Sequence, residues 1–150
     1  MLHPRNLVVA IALSLASSCF AQNASVIWNI KAVLPDGHSL DVKAFDPAGN
    51  QHDVKAIESG DEHLLDVKAL DGIAQLPIKV IVSDDAYAPV KAIGADGKLW
   101  DVKALSADGT RLNVKGVAHS GRLIHIKAIG ANGELYGVKA IHPDGNMYDV

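Results

Sequence analysis

Ten lysines recur along this chain: Lys31, Lys43, Lys55, Lys68, Lys79, Lys91, Lys103, Lys115, Lys127 and Lys139. The spacing is twelve residues, apart from one step of thirteen before Lys68 and one of eleven after it, which cancel. The residue before each lysine is Val or Ile, and the residue after is Ala in eight repeats, with Val80 and Gly116 as the exceptions. Asp stands two before the lysine at Asp41, Asp53, Asp66 and Asp101, and Asp149 opens one more copy. Self-similarity at a fixed short period is the signature of a repeat architecture, and it constrains the fold before any local propensity does.

Between these runs lie turn sequences: "PDG" at 35–37, "PAGN" at 47–50, "ADG" at 95–97 and 107–109, "ANG" at 131–133 and "PDG" at 143–145. Gly supplies a positive φ, and Asp or Asn favours the tight turn. Turns are expected near Gly37, Gly49, Gly97, Gly109, Gly121, Gly133 and Gly145. A unit this short, with a turn in nearly every copy, leaves no room for a helix. The rest of each unit alternates as a strand does: Trp100, Val102 and Ala104 share one face, and Leu99, Asp101, Lys103 and Leu105 the other.

The fold class is therefore all-β, with about ten short strands. An antiparallel meander, rolled into a barrel or packed on itself, is the expectation; a β-solenoid is the alternative. Parity speaks for the solenoid. Each residue of a regular meander bonds to one neighbouring strand only, so an even period should send successive lysines to opposite faces. Against the solenoid, stacked lysines would lie about 4.8 Å apart and repel by roughly 1 kcal/mol per pair even in water. The turn chemistry decides for the meander, because Pro-Asp-Gly suits a three-residue hairpin loop; bulges would relax the parity rule. Residues 71–90 lack the usual turn, and Pro77 and Pro89 replace the Asp. Proline cannot donate to a ladder, so this stretch reads as a seam.

The first 21 residues stand apart. Arg5, the apolar run from Leu7 to Ala16 and the small residues before "CFAQ" read as a secretory signal cleaved after Ala21. Residues 22–150 form a single domain of twelve-residue units. An alternative is a lipoprotein anchored at Cys19, with Ala16 standing where a larger aliphatic residue is expected. Cys19 is the only cysteine, so the mature chain would carry no disulfide. Removing Arg5 takes the formal charge from -3 to -4, which gives nucleic acid no basic domain to meet.

Chemistry-bearing patterns are sparse. His38, His52, His63, His119, His125 and His142 occupy different repeat positions without zinc-site spacing, and each Asp-Gly turn offers too few oxygens for calcium. No catalytic residue, metal or cofactor is indicated, so an enzyme is not expected. Trp28, Trp100, Tyr87, Tyr136 and Tyr148 read as packing residues rather than a sugar-stacking surface. From Asn29 to Val150 the chain resembles the tandem "YDVKAI…DG" repeat proteins of secreted bacterial origin. That resemblance implies no established activity and imports no site residues.

The function expected is an exported, non-catalytic structural or adhesive module, periplasmic or extracellular, of unknown partner and open to self-association through sheet edges. One alternative is a binding module for an acidic polysaccharide, another polyanion or an envelope component, with Lys103, Lys115, Lys127 and Lys139 as its contact residues. A second is a small outer-membrane β-barrel, for which strands of seven or eight residues are short.

Overall fold

A computed structural model describes residues 26–58, 65–120 and 123–150. The signal segment 1–21, the turn expected at Gly121 and His63 lie outside the described residues. Every described element is a strand: β1 (Val26–Val33), β2 (Ser39–Phe45), β3 (Gln51–Glu58), β4 (Leu65–Asp71), β5 (Ala74–Val80), β6 (Ala88–Ile93), β7 (Leu99–Leu105), β8 (Arg111–Ser120), β9 (Leu123–Ile129), β10 (Leu135–Ile141) and β11 (Met147–Asp149). They form an antiparallel meander, each strand pairing with the next, and the sheet closes into a barrel through β1 and β10.

The hairpin chemistry is the one the turn sequences imply. Gly37 N–H bonds to Leu34 C=O and Leu34 N–H to His38 C=O, at 3.0 and 2.8 Å, enclosing a three-residue loop. The same pair of bonds recurs in the turns at Gly49, Gly97, Gly109, Gly133 and Gly145, each with φ between 82° and 97°. One turn escapes the sequence reading: Asp71 pairs with Ala74 across Gly72 and Ile73, with Gly72 at φ 61°.

The parity rule holds, and its consequence is unusual. The bond from Leu34 to His38 puts Ala32 and Leu40 in hydrogen-bonding register, and that from Asp46 to Asn50 does the same for Ala44 and His52. Leu40 and Ala44 are of equal parity, so both hairpins of β2 fall on the same edge. Its first half pairs with β1 (Ser39–Asp41) and its second with β3 (Lys43–Phe45). The ring closes when the end of β3 pairs with the start of β1, Lys55–Glu58 against Val26–Asn29. Three strands thus form a pinwheel, each bonded by halves to the other two. β6, β7 and β8 repeat it. So do β9, β10 and β11, where Ile126 N–H bonds to Val150 C=O and Val150 N–H to Val138 C=O around the hub. A fourth corner holds only β4 and β5.

The outer edge of each strand is then left for another pinwheel. Five ladders make these joints: β1–β10, β2–β7, β3–β4, β5–β6 and β8–β9. Four corners joined pairwise define a tetrahedron with six edges, so one edge, between the two-stranded corner and the β9–β11 corner, is absent among the described residues. The lysines all face outward while Val and Ala face in. The β5–β6 ladder is short, with three registered pairs from Ile78 to Val80. Pro77 stands just before it, and Pro89 just outside it accepts a bond from Ile81 N–H. The seam read at 71–90 sits here.

Candidate functional site

The interior is built from two repeat positions. The Val or Ile before each lysine and the Ala after it project inward and meet across the ladders, as Val42 opposite Ala104 and Ala44 opposite Val102. At the centre the aliphatic side chains surround a cavity of about 260 Å³, lined by Ile30, Val42, Val54, Val102, Val138 and their equivalents, with Val80, Ile124, Val150 and Lys79 at one side. No polar side chain is buried among the described residues. Seven of these lining residues, such as Val54 and Val138, are only 3–5% exposed. Val67, Ile78, Ile126 and Val150 are half-buried, and Val80 and Ile124 are 36% and 48% exposed. Among the described residues the cavity lining is therefore least covered at the missing edge.

The outside carries the charge. Each of the five ladders sets two lysines directly opposite: Lys31 and Lys139, Lys43 and Lys103, Lys55 and Lys68, Lys79 and Lys91, Lys115 and Lys127. Like charges so placed repel. Relief comes from the other edge, where each lysine of a complete pinwheel meets the residue two before the lysine, or its equivalent, of the next strand. Asp41, Asp53, Asp101 and Asp149 hold Lys31, Lys43, Lys91 and Lys139 in this way. Asn29 and Asn113 serve Lys55 and Lys103, at 2.6 and 2.5 Å. The ammonium partners keep the four Asp carboxyls below their ordinary range. Burial pushes Lys103 below the ordinary lysine value, against the pull of Asp101.

Lys103, Lys115, Lys127 and Lys139, the lysines proposed for polyanion contact, are spread over several joints. They lie on three ladders, and only Lys115 and Lys127 face each other. These two lack the acidic partner, because Pro89 and Gly137 occupy the positions opposite them. The absent side chain at Gly137 leaves the Lys127 and Lys139 ammonium groups within 3.8 and 3.6 Å of where its Cβ would stand. Gly137 stands where other repeats carry Asp, and there it gathers positive charge.

A shallow bowl of about 570 Å³ lies where the turns at Gly37, Gly109 and Gly133 meet, lined by Asp36, His38, Asp108, Leu112 and Tyr136 among others. Its acids are occupied by their own turns. The Ser106 hydroxyl and the Thr110 N–H hold Asp108 at about 2, and His38 lowers Asp36. Tyr136 donates to Glu134 at 2.9 Å, which raises the phenol. Among the described residues no group of three His, Cys, Asp or Glu side chains is placed to hold a metal. Trp28 and Trp100 are buried. Trp28 donates to Glu58 at 3.0 Å and packs edge-to-face with His142 and at a tilt against Tyr148, and Trp100 lies against His52. The packing role read for the tryptophans agrees with this, whereas Tyr87 and Tyr148 are exposed.

No curated protein and no solved structure matches the chain. Residues 24–150, and so all eleven strands, match the description "family of unknown function (DUF7486)". The chain belongs to that family.

Proposed function

We propose that the protein is an exported, non-catalytic structural module, a rigid β-shell that serves as an assembly or adhesion unit in the cell envelope or outside the cell. The observation that carries this reading is the division of the fold. Small apolar side chains line the inside, four of the ten repeat lysines outside are paired with Asp, and one edge of the shell is left open to a partner among the described residues. A membrane barrel would need the reverse polarity, with an apolar band outside; lysines at the strand centres work against it. Native mass and pull-down from the envelope of the producing cell test the proposal. A protein that partitions into detergent, or that stays monomeric and captures nothing, overturns it.

A second reading is binding of an acidic polysaccharide through Lys115, Lys127 and Lys139, favoured by the missing carboxylate at Gly137. Gly137→Asp would restore the usual pairing and should abolish retention on an acidic polysaccharide at low salt. Equal retention of the variant and the parent removes this reading.

A further inference from the structure

Two charged side chains at the two-stranded corner stand apart from the pattern that governs the rest. Of the five Asp residues placed two before a repeat lysine or its equivalent, Asp41, Asp53, Asp101 and Asp149 pair with a lysine of the preceding strand in their pinwheel. Asp66 is the exception: it is exposed and has no side-chain partner among the described residues. In its pinwheel the preceding strand is the one absent among the described residues. Among the described residues Lys79 likewise has no side-chain partner, and the strand that should follow it is the same one. Half-burial of Val67 and Ile78, against 3–5% exposure of their equivalents in the complete pinwheels of β1–β3 and β6–β8, marks the same vacancy from inside.

We infer that this corner is a docking groove for one extended peptide strand carrying Asp-Val-Lys, which completes the pinwheel of β4 and β5. The register follows from the other corners. The peptide Asp meets Lys79 as Asp53 meets Lys43, and the peptide Lys meets Asp66 as Lys55 meets Asn29. The Val between them points inward and closes the cavity beside Val67 and Ile78. Around the β9–β11 hub, Ile126 N–H bonds to Val150 C=O and Val150 N–H to Val138 C=O. By the same rotation the peptide Val accepts from Val67 N–H and donates to Ile78 C=O. This is strand addition, in which main-chain bonds supply affinity and alternate side chains supply specificity. The inference rests on the assembly reading in that it names the partner's chemistry; the two fail separately, since a partner captured by the double variant Asp66→Lys with Lys79→Asp, or by the parent with peptide in excess, keeps the assembly reading while this corner's role fails.

The probe is a synthetic peptide of residues 98–106, KLWDVKALS, titrated into the full-length protein, beside a second peptide with the Asp and Lys exchanged. Saturable one-to-one binding of the first is expected, with at least tenfold weaker binding of the second and slowed amide exchange at Val67. The double variant Asp66→Lys with Lys79→Asp should reverse the preference. If that variant does not fold, the peptide exchange against the parent protein still decides. Binding that ignores the order of the charges, protection that falls elsewhere, or no binding at millimolar peptide overturns the inference. Dimerisation that the peptide does not displace assigns the corner to a second copy and also overturns it.

Discussion

At the position after the lysine, all eight alanines are at most 1% exposed. Each faces the Val or Ile of the strand across its ladder or hairpin joint, as Ala69 faces Val54 and Ala140 faces Ile30. One large and one small aliphatic residue per rung keep the two strands at constant depth. Ala104→Val would set two branched side chains against each other at Val42, and overpacking of this kind costs about 1–3 kcal/mol. A lower urea midpoint with an unchanged slope is the expected result. The outward lysines are different. Replacing Lys43 by Gln removes a pair whose Asp53 is 53% exposed, so the loss should stay below about 1 kcal/mol. The lowered Asp41, Asp53, Asp101 and Asp149 carboxyls fix the sign of the pH response. Such groups stabilise the fold above the unfolded value of 3.8 and lose that contribution as pH falls through their folded values. Thermal melts should therefore show this contribution intact from pH 5 to 7 and fading below about pH 4. The recurrence of Asp two before the lysine was legible in the sequence. The facing of Lys with Lys was not, because it depends on which pinwheel meets which.

Among the elements, the hairpins were the most legible part, because Pro-Asp-Gly and its variants encode a local conformation. Gly109 sits at φ 85° with open space where a Cβ would stand. Gly109→Ala should cost about 1 kcal/mol through backbone strain alone, measurable by chemical denaturation. Gly72 went unread because its two-residue turn lies within the single eleven-residue step, where the repeat gives no template. The β5–β6 joint is the weakest ladder by construction, since Pro77 and Pro89 remove donors at both ends of its three pairs. Amide exchange at Lys79 and Val80 should be faster than at Val102, which lies in a five-pair ladder with β2. Equal protection would show that the prolines do not limit this joint.

For the whole molecule, the meander and its barrel-like closure follow from turn chemistry and period, while the arrangement of corners does not. An even period forces each strand to place both its hairpins on one edge unless the lysines alternate faces. Bulges were the expected escape, and the chain instead meets the condition by sharing that edge between two neighbours, half a strand each. Nothing local announces that choice. It becomes available only when three successive strands can close a ring, and only the whole set of ladders shows which rings meet. The lysine spacings of thirteen and eleven fall at the joint from β3 to β4 and at the hairpin from β4 to β5, so the two-stranded corner had left a trace in the numbering.

The pinwheels also set how such a protein could have grown. A solenoid gains or loses one unit at its end with little consequence, because each unit touches only its neighbours. Here every strand belongs to a corner and most also to a ladder with a distant corner, so copy number is quantised. Excising residues 95–106 would remove one period, yet it would dismantle the β6–β8 ring and cut β2 from its partner. The expected product is an unfolded chain, readable by circular dichroism, and not a shorter version of the same shell. Duplication could supply the units, but selection would have acted on closed sets of three.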